Sequence, residues 1–97
     1  MLVIRDVFRC KPGHAKDIAA RFKQLIPAME KDGFTNCRVM VDYVADYWTV
    51  VLESDCETLE QFEGHMRAFG QRPEVQEVMR GYMDLVDGGH REIYRIL

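Results

Sequence analysis

Two hydrophobic periods alternate along this short chain, with Gly and Pro marking each change, and that alternation limits the fold more than any single motif. The run LVIRDVFRC, Leu2 to Cys10, has the apolar content of a strand, whose side chains project alternately to two faces. Lys11-Pro12-Gly13 interrupts it. Ile18, Phe22, Leu25, Ile26 and Met29 then recur at the spacing of an amphipathic helix. Pro27 lies inside that pattern; its missing N–H and its ring predict a kink in the last turn or an end near Leu25. Asp32-Gly33 closes the segment.

Two runs rich in Val, Tyr, Trp and Thr follow, residues 35–44 and 47–53. They read as a hairpin turning at Ala45-Asp46. In the first, Cys37, Val39, Val41 and Tyr43 share the expected core face, and Asn36, Arg38, Met40 and Asp42 the other. Ser54 and Glu57 have capping-box spacing, repeated by Thr58 and Gln61, so a second helix starts here. Its stripe is Leu59, Phe62, Met66 and Phe69. Gly70 and Pro73 bend it, Val75, Val78, Met79, Tyr82, Met83 and Val86 resume the helical spacing, and Asp87-Gly88-Gly89 ends it before a last strand in HREIYRIL.

The order is β-α-β-β-α-β, the α+β ferredoxin-like arrangement: one four-stranded antiparallel sheet with both helices on one face. With 97 residues and no linker or repeat, residues 1–97 form a single domain. A domain of this size buries only about two-thirds of its unfolded surface, which favours a partner. The sheet face away from the helices carries Val3, Arg5, Val7, Arg9, Arg38, Met40 and Asp42 by parity, with Glu53 on the third strand. This mixture of apolar and oppositely charged residues predicts a homodimer formed through that face, with Arg5, Arg9, Arg38, Asp42 and Glu53 setting register and partner. The competing reading is a solvated face with scattered apolar residues.

Composition excludes several functions. A net charge of −3 with interspersed signs offers no basic stripe for nucleic acid. No apolar run approaches the roughly 20 residues of a membrane helix, and charges at positions 5 and 6 argue against a signal peptide. Three cysteines without CxxC spacing fit reduced thiols and a cytoplasmic location. Only Cys10 and His14 approach metal-ligand spacing, too few for a site, so no metal is expected. Nucleotide, hydrolase and zinc-protease motifs are absent, and no cofactor is expected.

A first strand running into Lys11-Pro12-Gly13, a hydrophobic helix, WTVVLES from Trp48 to Ser54, and TLEQFE from Thr58 to Glu63 together resemble the dimeric α+β barrel superfamily. Within it the chain looks like the NIPSNAP-like and antibiotic-biosynthesis-monooxygenase-like proteins. The resemblance implies a homodimer with two sheets face to face and a pocket between each sheet and its helices. Some members oxidise polycyclic aromatics without a cofactor, some degrade haem, and many have no known activity. Haem-degrading members carry an Asn late in the first strand, and a Trp and a His on the second helical region. Here Asp6 falls at or beside the Asn position, residues 55–86 hold no Trp, and His65 precedes the bend, so haem degradation is disfavoured.

Asp6 shares its face with Leu2, Ile4 and Phe8 and so points toward the helices. Desolvation there raises a carboxylate's pKa toward that of a general base unless a cation compensates, and a paired structural Asp is the commoner outcome. His65 flanks the second helix stripe as an accessory acid or base, or as an ordinary hydrogen-bonded residue. Trp48, Phe62, Met66 and Tyr82 are the candidate ligand-binding side chains, and a packed core explains them equally. The function expected is a small cytoplasmic homodimer binding an apolar or aromatic molecule between sheet and helices, with cofactor-independent monooxygenase-like chemistry at Asp6. The alternative is a non-catalytic dimeric module without an open pocket.

Overall fold

A computed structural model describes all of residues 1–97. Strand β1 (Leu2–Cys10) leads into helix α1 (Ala15–Lys31), then β2 (Thr35–Val41), β3 (Thr49–Cys56), α2 (Leu59–Phe69), α3 (Pro73–Val78), a 3-10 turn (Tyr82–Leu85) and β4 (Val86–Arg95). The strands pair antiparallel in the order β2-β3-β1-β4. The molecule measures 35 × 34 × 18 Å between Cα extremes; its short axis holds one sheet and one helix layer, leaving the second sheet face open.

The register fixes what each face carries. Leu2, Ile4, Asp6 and Phe8 lie opposite Cys56, Ser54, Leu52 and Val50 of β3. Ile4, Asp6 and Phe8 meet Ile93, Arg91 and Gly89 of β4 on the other side. Ile18, Phe22, Leu25 and Met29 of α1 bury against this set, together with Phe34. Phe8 packs edge-on to Phe22 at 5.0 Å between centroids, a favoured aromatic geometry. Gly89 is required where β4 crosses β1: a Cβ there would stand 2.4 Å from the Val7 carbonyl oxygen.

Four local expectations are corrected. Helix α1 continues through the exposed Pro27 to Lys31, because Ala28 and Met29 beyond the proline are buried and hold the last turn on the sheet. The β2–β3 connection spans residues 42–48, so Tyr43, Val44 and Tyr47 are exposed rather than paired. Asp42 accepts a hydrogen bond from the Thr49 N–H at 2.9 Å and so caps this loop. Val41, at the end of β2, is exposed, while Cys37 and Val39 pack against the core.

The third and fourth corrections lie at the ends of the second helical region. Ser54 stays within β3, and the cap is Thr58, whose Oγ1 accepts from the Gln61 N–H at 3.1 Å. Helix α3 stops at Val78, well before Val86, and the backbone then turns through Gly81 at φ 75°, a conformation glycine adopts without strain. Arg21 of α1 donates to the carbonyls of Val78 and Arg80 at 3.3 and 2.5 Å, satisfying acceptors that a continued helix would have used. Strand β4 accordingly begins at Val86, and Gly88 and Gly89 are strand residues.

Candidate functional site

A cavity of about 190 Å³ lies between the sheet and the helix layer. Ile4, Asp6 and Phe8 of β1, Leu52 and Ser54 of β3, and Arg91 of β4 form its floor. Helices α1 and α2 form the roof, with Phe62, His65, Met66 and Phe69 descending from α2, and Met79 and Tyr82 close one end. Twelve of its sixteen lining residues are hydrophobic, so the space suits an apolar body touched by few polar groups.

One polar pole is Asp6. Its Oδ1 accepts from Arg91 Nε at 2.5 Å, and its side chain is 19% exposed. Parity brings Asp6 to the cavity, and the β1–β4 register sets Arg91 opposite it. The Arg91 guanidinium stands 5.1 Å from the Phe62 ring centroid, close enough for cation–π attraction. Asp6, Phe8, Tyr82 and Arg91 also line an adjoining surface groove near Gly88, Gly89 and His90. The Asp6–Arg91 pair therefore borders both the cavity and this groove.

The other pole is His65, buried at 6% exposure. Its ring lies 4.6 Å from the centroids of both Phe34 and Phe69. Its Nδ1 is 2.5 Å from Asp32 Oδ2, while Arg72 Nη2 donates to Asp32 Oδ1. Asp32 is held along its backbone as well: its N–H donates to the Met29 carbonyl at the end of α1, and its own carbonyl accepts from Gln61 Nε2 at 3.0 Å. Gly33 follows at φ 89°, where a Cβ would come within 2.6 Å of Gln61 Nε2. The Asp-Gly step thus ends the first helix and delivers a carboxylate to the second.

Five sequence candidates, Asp6, Phe62, His65, Met66 and Tyr82, converge on this cavity. Trp48 does not. Its φ of 63° turns the chain at the start of β3, its carbonyl accepts from the Cys10 N–H, and it is 42% exposed. The sequence reading missed Ser54, Arg91 and Asp32 as site residues. Extending strand parity back through Gly89 would have found Arg91 opposite Asp6; no local signal marks Asp32 as more than a helix stop.

On the open face, Glu53 accepts from Arg5 Nη1 at 3.0 Å and from Arg38 Nε at 2.7 Å and Nη2. Arg5 Nε lies 3.4 Å from Glu92 Oε1, outside hydrogen-bond geometry, and is a buried donor without a partner. His90 and Tyr94 hydrogen-bond Glu92 and hold its carboxyl below the usual carboxylate range; the same contact raises Tyr94. Within the chain the charge network joins Arg5, Arg38, Glu53 and Glu92, and Arg9 makes no intrachain ion pair. Burial raises the thiols of Cys10, Cys37 and Cys56. No group of three His, Cys, Asp or Glu side chains is placed to hold a metal, and no helix is long and apolar enough to cross a membrane.

No protein-family model matches the sequence, and no curated protein matches it significantly. Solved structures do match. A NIPSNAP family protein of unknown function from Agrobacterium tumefaciens superposes with a TM-score of 0.83 at 11% identity, covering 99% of this chain and 87% of that one. A NIPSNAP domain protein from Burkholderia xenovorans gives 0.80 at 10% identity, over 100% and 95%. An antibiotic biosynthesis monooxygenase candidate from Nitrosomonas europaea gives 0.76 at 13%, over 100% and 99%. At such identities the likeness is one of architecture, and the chain has the ferredoxin-like fold shared by NIPSNAP domain and antibiotic-biosynthesis-monooxygenase-like structures.

Proposed function

We propose that this protein is a cytoplasmic homodimer binding one small apolar or aromatic molecule per chain between the sheet and the helices. The observation that carries this reading is the cavity of about 190 Å³ with its apolar lining and two polar poles. Apolar cavities of about 150 Å³ accommodate benzene, so this one suits a single substituted ring and is too small for the polycyclic substrates or haem handled by some resembling proteins. An open cavity also weighs against a module with a sealed core. The chemistry we assign to the site is cofactor-independent oxygenation of an electron-rich ring, with molecular oxygen as oxidant: the ring loses a proton and supplies the electrons, one oxygen atom enters it and the other leaves as water. Asp6 supplies a carboxylate at the wall, and its Oδ2 makes no hydrogen bond to the protein.

Dimerisation through the open face is supported by Val3, Val7, Met40 and Val51 lying half-buried among the charges; a second copy would cover them. Native mass spectrometry of freshly purified protein is the test of assembly, with an expected mass twice that of the 11.3 kDa chain; a monomer at micromolar concentration would overturn it. Binding is tested by titrating phenol and toluene while recording methyl and amide NMR shifts. Residues facing the cavity should respond in the native protein and fall silent in Met66→Trp, which adds an indole at the half-open rim. A native protein that shows no response to either ring would refute the ligand-binding reading.

A further inference from the structure

We infer that Asp32 and His65 form a proton-accepting dyad at the cavity wall, and that its ligand is a single-ring phenol whose hydroxyl meets His65 Nε2. The inference rests on the ligand-binding reading above and adds to it the ligand class and the group that receives its proton. Three observations lead to it. His65 lines the cavity, and its side chain is only 5% exposed. Its Nδ1 is taken by Asp32, whose other oxygen is held by Arg72. Its Nε2 has no hydrogen-bond partner in the chain, yet it is not sealed, since Arg5 Nε is the only fully buried side-chain donor or acceptor left unpaired.

The tautomer follows from the partners. An ionised carboxylate only accepts hydrogen bonds, so Asp32 Oδ2 takes the Nδ1–H and the lone pair of the neutral ring resides on Nε2. Asp32 is a positioning residue: it fixes the tautomer and stabilises the imidazolium that forms when Nε2 gains a proton. Phe34 and Phe69 flank the imidazole and set its plane. When a phenol O–H bond breaks, its electron pair stays on oxygen and its proton passes to Nε2, giving phenolate and imidazolium. The remaining charged or titratable groups at the cavity are Asp6, Arg91 and Tyr82. Asp6 Oδ1 is held by Arg91, and its free Oδ2 is the competing acceptor, so a loss of proton transfer on changing His65 is what assigns the proton to the dyad.

The probe is 4-nitrophenol, which is yellow as phenolate and colourless as the neutral phenol. It is titrated into native protein below its own pKa, with NMR shifts reporting binding and visible absorbance reporting ionisation. The bound probe should show a phenolate-to-phenol ratio about tenfold above that of free probe, one pKa unit. His65→Asn places an amide N–H where Nδ1 stood and keeps the contact to Asp32, so it should retain stability, bind the probe more weakly for want of the Nε2 contact, and show no absorbance change even when saturated with probe. Asp32→Asn, which no longer stabilises the imidazolium, should reduce the change. Binding with unchanged absorbance in native protein, or an unaltered absorbance change in His65→Asn, would overturn the dyad and leave the pocket standing. Absence of binding in native protein would overturn both.

Discussion

Replacing Glu53 with Gln removes the charge at the centre of the open sheet face while keeping the side chain's shape. Glu53 is nearly buried, with 8% of its side chain exposed, and it accepts three N–H groups, one from Arg5 and two from Arg38. Hydrogen bonds to an ionised partner contribute about 1.5–3 kcal/mol when shielded, but an exposed ion pair contributes only about 0.2–1 kcal/mol. Arg38 is 65% exposed and Arg5 36%. The Arg38 contacts therefore belong near the lower figure and the Arg5 contact nearer the upper. A Gln at this position still accepts one N–H, so the expected net loss is about 2 kcal/mol. Since about 1 kcal/mol moves the melting temperature of a domain this size by about 4–8 °C, the variant should melt about 10 °C lower. Arg38→Met, at the exposed end, should cost under about 1 kcal/mol. Urea unfolding followed by circular dichroism at several protein concentrations measures both. If the open face pairs with a second copy, the urea midpoint of each variant that still pairs rises with concentration, because association draws on the folded state alone. A Glu53→Gln loss below about 0.5 kcal/mol, or an Arg38→Met loss as large, would refute the graded burial on which this rests.

Two further outcomes follow from features away from the cavity. Pro27→Ala should stabilise the protein by about 2 kcal/mol, because an exposed mid-helix proline costs about 3 kcal/mol and returns under about 1 kcal/mol by stiffening the unfolded chain; an unchanged urea midpoint would contradict this. The three thiols are raised by burial, with nearby carboxylates adding to the effect, so the unfolded chain loses thiol protons first as pH rises. Stability should therefore decline from the ordinary thiol range upward. Cys10 and Cys56, both buried, should resist iodoacetamide in native protein at mildly alkaline pH. Rapid labelling of either, read by mass spectrometry, would refute that protection.

The parts of the fold legible in the sequence are those whose signal is local. Period two over Leu2–Cys10 fixed the two faces of β1 and placed Asp6 inward. Period 3.6 located α1 and Asp32-Gly33 its end; of the two outcomes offered at Pro27, an end near Leu25 does not occur, since Ala28 and Met29 beyond it are buried. Residues 42–48 misled in the opposite direction. Tyr43, Val44, Tyr47 and Trp48 favour strands by composition, yet the Asp42 carboxylate and the Asp46 carbonyl each accept from Thr49 and close a loop instead. The apolar spacing at Tyr82 and Val86 likewise suggested helix until the positive φ at Gly81 ended it. In each case a tertiary or side-chain contact overrode a pattern that was real.

The two poles of the cavity show why sites are harder to read than elements. Asp6 and His65 were visible because each sits on an element whose facing side the periodicity reveals. Their partners were not: Arg91 lies 85 residues from Asp6, and Asp32 lies 33 residues from His65, beyond any local window. Asp32 was legible only as punctuation, and that role is the source of its precision. A helix-ending residue whose N–H and carbonyl are both bound has little backbone freedom, so its carboxylate returns to one place. Holding a proton acceptor to within about 0.5 Å requires such a fixed support. The α1 terminus supplies it, and the same Asp-Gly step that stops a helix can therefore orient an imidazole.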